Sequence, residues 1–263
     1  MNEIDDSQAP LLDHLIELRR RLLYSAVAVA ACFAVCFYFS HEILTFLLKP
    51  LLAAGQKRVI FTQIFEAFFV QIKVAFFAAM MLSFPVIANQ LWQFVAPGLY
   101  RNEKRALFPF LLATPILFIA GASLAYYVTI PVALHFLLGY QGNLGGVEQE
   151  ALPSIENYLS FVMQFLFAFG LAFLLPVLLM LLELAGIVTR KQLIGARRYA
   201  IVGAFAIAAV ATPPDVGSQF LLAVPLILLY ELALIAIWFT EKRRAKRDPE
   251  NAEATDSETA ERG

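Results

Sequence analysis

Six apolar runs, at about 22–40, 72–96, 107–130, 158–182, 199–212 and 217–239, divide the chain, and most of its charge lies in the stretches between and after them. A helix of about 20 apolar residues crosses a hydrocarbon core of about 30 Å. Backbone inside that core must satisfy its own hydrogen bonds, so runs of this length cross as helices. The 60% hydrophobic content and mean hydropathy of +0.70 agree, since soluble domains carry about 45–50% apolar residues. The expected fold is an all-α integral membrane protein with six transmembrane helices, forming a single polytopic membrane domain over residues 1–240. No soluble domain of ordinary size fits between the runs. The first run follows a polar, acidic stretch, "MNEIDDSQAP", and exceeds the roughly 7–15 residues of a signal-peptide core, so it is read as a retained helix.

Lysine and arginine set the orientation. Arg19, Arg20 and Arg21 precede the first run, and Arg101, Lys104 and Arg105 follow the second. Arg190, Lys191, Arg197 and Arg198 follow the fourth, and "KRRAKR" from Lys242 follows the sixth. The opposite connections hold Lys49, Lys57 and Arg58, with Lys73 at the border, and none in 131–157 or 213–216. By the positive-inside rule both termini are expected in the cytoplasm. The tail 241–263, charged and nearly free of large apolar residues, is expected to be disordered.

Two regions depart from simple spans. The fifth run, "YAIVGAFAIAAVAT", is about 21 Å long at 1.5 Å per residue, short of the hydrocarbon thickness. The connection 41–70 is apolar but broken by Pro50 and Gly55, a pattern that suits short amphipathic helices at the outer surface. Pro85, Pro97, Pro109, Pro115, Pro131, Pro176 and Pro225 fall within or at the ends of runs, so the bundle is expected to be bent. Cys32 and Cys36 share a helix face, a poor geometry for a disulfide.

Little points to catalysis. His14, His41 and His135 are scattered, and the chain has no HExxH, no GxSxG and no Walker-type phosphate loop. No cofactor, metal or nucleic-acid partner is expected. Carboxylates near the membrane offer two alternatives. Glu183 and Glu231 would suit a proton-coupled small-solute transporter. Glu17 in "HLIELRRRLL" and Glu103 in "YRNEKR" lie on the same expected membrane face, where together they would receive a basic ligand through the planar fork of arginine. The local alternative is a pairing of Glu17 with Arg20 or Arg21 at i+3 and i+4, which contributes about 0.2–0.5 kcal/mol.

With "HLIELRRRLL", "QLWQFVAPGLYRNEKR", "AYYVTIP", "YLSFVMQFLFAFGLAFLLPV" and "RRYAIVGAFAIAAVATPPDVGSQFLLAVP", the chain resembles the TatC family, the core receptor subunits of the twin-arginine protein translocase. The likeness covers nearly all of it except the tails and part of the outer loops. It implies a cup-shaped bundle of six helices in the bacterial cytoplasmic (inner) membrane, with both termini cytoplasmic. It also implies recognition of twin-arginine signal peptides on folded cargo by Glu17, Arg19, Phe94 and Glu103. The implied partners are TatB-like and TatA-like single-span subunits in an oligomeric receptor complex driven by the proton-motive force. Pro50, Tyr126 and Asp215 match further family positions; turn geometry, with Asp215 capping the sixth helix, explains "PPD" equally well. Thr212, Ser218 and Gln219 are candidates for partner contacts. Where the family often has a glutamate before the proline of the fourth helix, this chain has Leu174, and a role for that acidic group does not carry over.

Overall fold

The computed structural model describes residues 9–56, 58–95, 104–139, 141–144, 147–149, 152–184, 186–211 and 216–260. Its helices are α1 (Ala9–Tyr38), α2 (Ser40–Ala53), α3 (Glu66–Val95), α4 (Lys104–Leu124), α5 (Ile130–Leu138), α6 (Ile155–Ala172), α7 (Leu175–Leu184), α8 (Arg190–Gly195), α9 (Arg197–Ala211) and α10 (Val216–Ala260). A π-helical turn, Ala125–Thr129, joins α4 to α5. Among the described residues, five stretches are long and apolar enough to cross a membrane: Leu15–Tyr38, Glu66–Phe94, Leu111–Leu138, Ile155–Leu184 and Gln219–Lys242. Helix α9, with 15 residues, lies where the sequence has its short fifth run and is not among these five.

Two interruptions of regular helix lie beside prolines, which withhold a backbone donor. Pro85 lies inside α3. The ladder widens just before Pro131, where Ile130 N–H reaches back to Ala125 O. An i→i+5 turn of this kind makes room for a proline ring that would otherwise press on the preceding turn. The fourth expected span is two helices, since α6 ends at Ala172 and α7 starts at Leu175, beside Pro176. Pro225 leaves α10 unbroken.

Helix α1 packs along α3, with Cys36 buried against Ala75 and Ala79. Small side chains let the two backbones approach where lipid offers no hydrophobic drive to associate. Both cysteines are free thiols. The main core joins α2, α3, the π turn, α5, α6, α9 and α10, centred on Ile130, Leu159, Val162, Phe165, Phe169 and Leu222. Glycine sets the distance between α4 and α6: a Cβ on Gly121 would stand 2.4 Å from Phe169 O, and one on Gly170 2.6 Å from the Phe118 ring. At one end of α3, Glu66 is 2% exposed. It accepts hydrogen bonds from Thr62 N–H, Thr62 Oγ1 (2.8 Å), Gln63 N–H (3.1 Å) and Glu156 N–H (3.1 Å). One carboxylate thus closes the turn into α3 and occupies one backbone donor at the start of α6.

Three expectations change. The first helix extends back to Ala9, so "HLIELRRRLL" is helix rather than a flank. The connection 131–157, expected to be loop, contains α5 and a two-stranded hairpin, β1 (Gly142–Leu144) with antiparallel β2 (Val147–Gln149), paired Gly142 to Gln149 and Leu144 to Val147. Strands of three residues are too short to print an alternating pattern. The tail expected to be disordered continues α10 as far as Ala260, in a stretch rich in Glu, Lys, Arg and Ala, which favour helix.

Candidate functional site

The helical extension of α1 puts Glu17, Arg20, Arg21 and Tyr24 on one face by their i, i+3, i+4 and i+7 spacing. Gln90, Gln93 and Phe94 share a face of α3 in the same way. Where these faces meet, Ile16, Glu17, Arg20, Arg21, Tyr24, Gln90 and Gln93 line a groove of about 430 Å³. Arg21 donates from Nε (3.0 Å) and from Nη2 to Glu17 Oε1. Its Nη1 donates to Gln93 Oε1 at 2.8 Å. Gln93 in turn donates from Nε2 to Asn89 Oδ1 at 3.1 Å, which orients its carbonyl oxygen. Arg20 lies over the Tyr24 ring, 5.8 Å from its centroid. Of the two local pairings open to Glu17, the structure contains the one at i+4. Arg19, two residues from Glu17 and so about 200° around the helix, is exposed and does not line the groove. Phe94 is half-buried and follows Gln93 at the same end of α3. Glu103 lies outside the described residues.

A second constellation joins Pro50 to Tyr126. In an α-helix the carbonyl of Phe46 would accept from the backbone N–H of residue 50, but Pro50 has none. Tyr126, on the π turn, donates its hydroxyl to Phe46 O at 2.7 Å, and its ring stacks on that of Phe46 with centroids 4.4 Å apart and planes at 7°. Tyr158 on α6 donates to the next carbonyl, Leu47 O, at 2.8 Å. Two tyrosines therefore anchor α2, and one of them replaces the bond that Pro50 removes.

The Sec-independent protein translocase protein (TatC) family model matches residues 13–225. The chain belongs to the TatC family. It is 45% identical to the Sec-independent protein translocase protein TatC of Magnetococcus marinus over 250 residues, 94% of this chain and 91% of that one. Against the Escherichia coli K12 protein of the same name it is 38% identical over 260 residues, 98% of this chain and 99% of the other. A crystal structure of the twin arginine translocase receptor TatC superposes with a TM-score of 0.74 at 40% identity, covering 84% of this chain and 96% of that one. This TatC-family chain is thus a multi-pass membrane protein and a core subunit of the Sec-independent translocase.

Among the remaining TatC positions, Thr212 and Asp215 lie outside the described residues. Ser218 falls in α10, and Gln219 donates from Nε2 to Phe205 O at 3.2 Å, joining α10 to α9. Leu174 lies in the break between α6 and α7. The alternative built on Glu231 loses ground, because Arg197 Nη2 donates to Glu231 Oε2 at 2.8 Å and gives that carboxylate a structural partner. Glu183 is half-buried near the end of α7. Sequence reasoning missed Gln93 and Tyr158. Gln93 belongs to the quoted "QLWQF", but only the packing of α3 on α1 shows that it meets an arginine. Tyr158 opens the quoted "YLSFVMQFLFAFGLAFLLPV", but only the packing of α6 on α2 shows that its hydroxyl meets a carbonyl.

Proposed function

We propose that the groove between α1 and α3 is half of a receptor for twin-arginine signal peptides, with Glu103 completing it. The observation that carries this reading is that Glu17 already accepts an arginine side chain, Arg21, beside an open groove. A carboxylate so placed suits a second guanidinium, and the family relationship supplies a ligand that has two. Glu17 and Glu103 act as acceptors, Phe94 offers an apolar face to the residues beside the ligand arginines, and Arg19 adds to the binding surface from outside the groove. The chain works as one polytopic membrane unit over 1–240, without catalytic chemistry of its own. It crosses the bacterial inner membrane six times, α9 included, with both termini in the cytoplasm. TatB-like and TatA-like single-span subunits join it in an oligomeric complex that exports folded cargo using the proton-motive force. Thr212, Ser218 and Gln219 are the candidates for contacts with those partners, while Pro50, Tyr126 and Asp215 keep the fold competent for transport.

Crosslinking to a twin-arginine signal peptide tests the site. Glu17→Ala and Glu103→Ala are each expected to weaken it about tenfold without loss of membrane insertion. Hydrogen bonds to charged groups contribute about 1.5–3 kcal/mol, and exposure to solvent favours the lower end. Glu103→Lys should be worse than Glu103→Ala, because it repels the ligand. Unchanged crosslinking in both alanine variants would remove the assignment.

A further inference from the structure

We propose that Arg21 is an internal competitor for the arginine-binding carboxylate: in the unliganded receptor it occupies Glu17, and Gln93 is the acceptor to which it withdraws when a ligand guanidinium arrives. The inference rests on the receptor reading above and adds the residues that set its threshold. Arg21 is held by two helices at once, through Nε and Nη2 to Glu17 on its own helix and through Nη1 to Gln93 on α3. That division of donors is what an exchange needs. The bond to Gln93 can persist while the bonds to Glu17 are given up, so the displaced guanidinium is never left without an acceptor. Asn89 holds the Gln93 amide with its oxygen toward Arg21, which keeps the withdrawal acceptor in place in either state. The side chains are accessible enough for exchange, at 18% exposure for Arg21 and 37% for Glu17.

Competition has a defined signature. A ligand that binds only when Arg21 is withdrawn has its apparent affinity reduced by the fraction of receptors in that state. The reduction is the same for every ligand that uses Glu17. Removing the competitor should therefore strengthen a twin-arginine peptide and its weaker twin-lysine counterpart by one factor and leave their ratio unchanged. Loss of Gln93 should do the reverse, since Arg21 then has nowhere to withdraw.

The test is equilibrium binding of fluorescent twin-arginine and twin-lysine peptides to the full-length protein in nanodiscs. Arg21→Met is expected to tighten both about two- to fivefold, the range set by a partly exposed ion pair. Arg21→Lys, which keeps the charge and loses the fork, should show part of the gain and so separates competition from a simple loss of positive charge. Gln93→Leu should weaken binding in the native background and have no effect on top of Arg21→Met, a non-additivity that reports the coupling. Weaker or unchanged binding by Arg21→Met, with Glu17→Ala still weakening it, would overturn the competitor role alone. Full binding by Glu17→Ala would overturn the receptor reading and the competitor with it.

Discussion

Gly121→Ala is expected to lower the thermal midpoint of the detergent-solubilised protein by several degrees. The added Cβ would stand 2.4 Å from the backbone oxygen of Phe169 and 2.8–2.9 Å from the Phe173 side chain. This backbone oxygen, in the last turn of α6 and bonded to Phe173 N–H, cannot rotate away as a flexible side chain can, so α4 and α6 must separate. Overpacking of this kind costs about 1–3 kcal/mol, and a chain of this size loses roughly 2–4 °C per kcal/mol. Gly170→Ala adds pressure from the other side, against Phe118. Phe118 is 1% exposed and stacked on Phe84 with centroids 3.7 Å apart, so it has little room to retreat. The control is Gly203→Ala on α9, where a Cβ meets nothing within 4 Å. There the better helix propensity of alanine should leave the midpoint unchanged or slightly raised. A midpoint for Gly121→Ala equal to that of Gly203→Ala would mean that α4 and α6 are not in close contact.

The same contrast shows what was legible beforehand. Long apolar runs reveal helices because hydrocarbon leaves the backbone no other way to satisfy itself. The short α9 and the bends near Pro131 and Pro176 followed from run length and from the missing proline donor. The Glu17–Arg21 pair is local, so i+4 spacing exposed it, although nothing local chose between Arg20 and Arg21. That choice depends on α3, where Gln93 takes the third nitrogen of Arg21 while Arg20 turns to Tyr24. The roles of Gly121, Gly170 and Gln93 all depend on which helix lies opposite, and a single sequence does not state this. Pro50 and Tyr126 stand between the two cases. Family likeness marked both residues, but their separation in the chain concealed that they act on one carbonyl.

That shared carbonyl makes a sharp prediction about coupling. Tyr126→Phe removes one hydroxyl and keeps the ring that stacks on Phe46, so its effect isolates the hydrogen bond to Phe46 O. With Pro50 in place, the carbonyl has no backbone donor at i+4, and an unsatisfied polar group costs about 1–3 kcal/mol. The variant should lose several degrees of thermal midpoint. With Pro50→Ala, residue 50 regains an N–H that can close the ordinary helical bond to Phe46 O. Tyr126→Phe should then cost markedly less, giving an interaction energy of about 1 kcal/mol in the double-mutant cycle. Tyr158 still holds Leu47 O, so α2 should remain docked in all four proteins, and the comparison measures one bond rather than the loss of a helix. Strictly additive effects would mean that the tyrosine does not replace the donor that proline removes. A coupled result would explain in one step why a proline in α2 and a tyrosine on a π turn, far apart in the chain, answer to the same physical requirement.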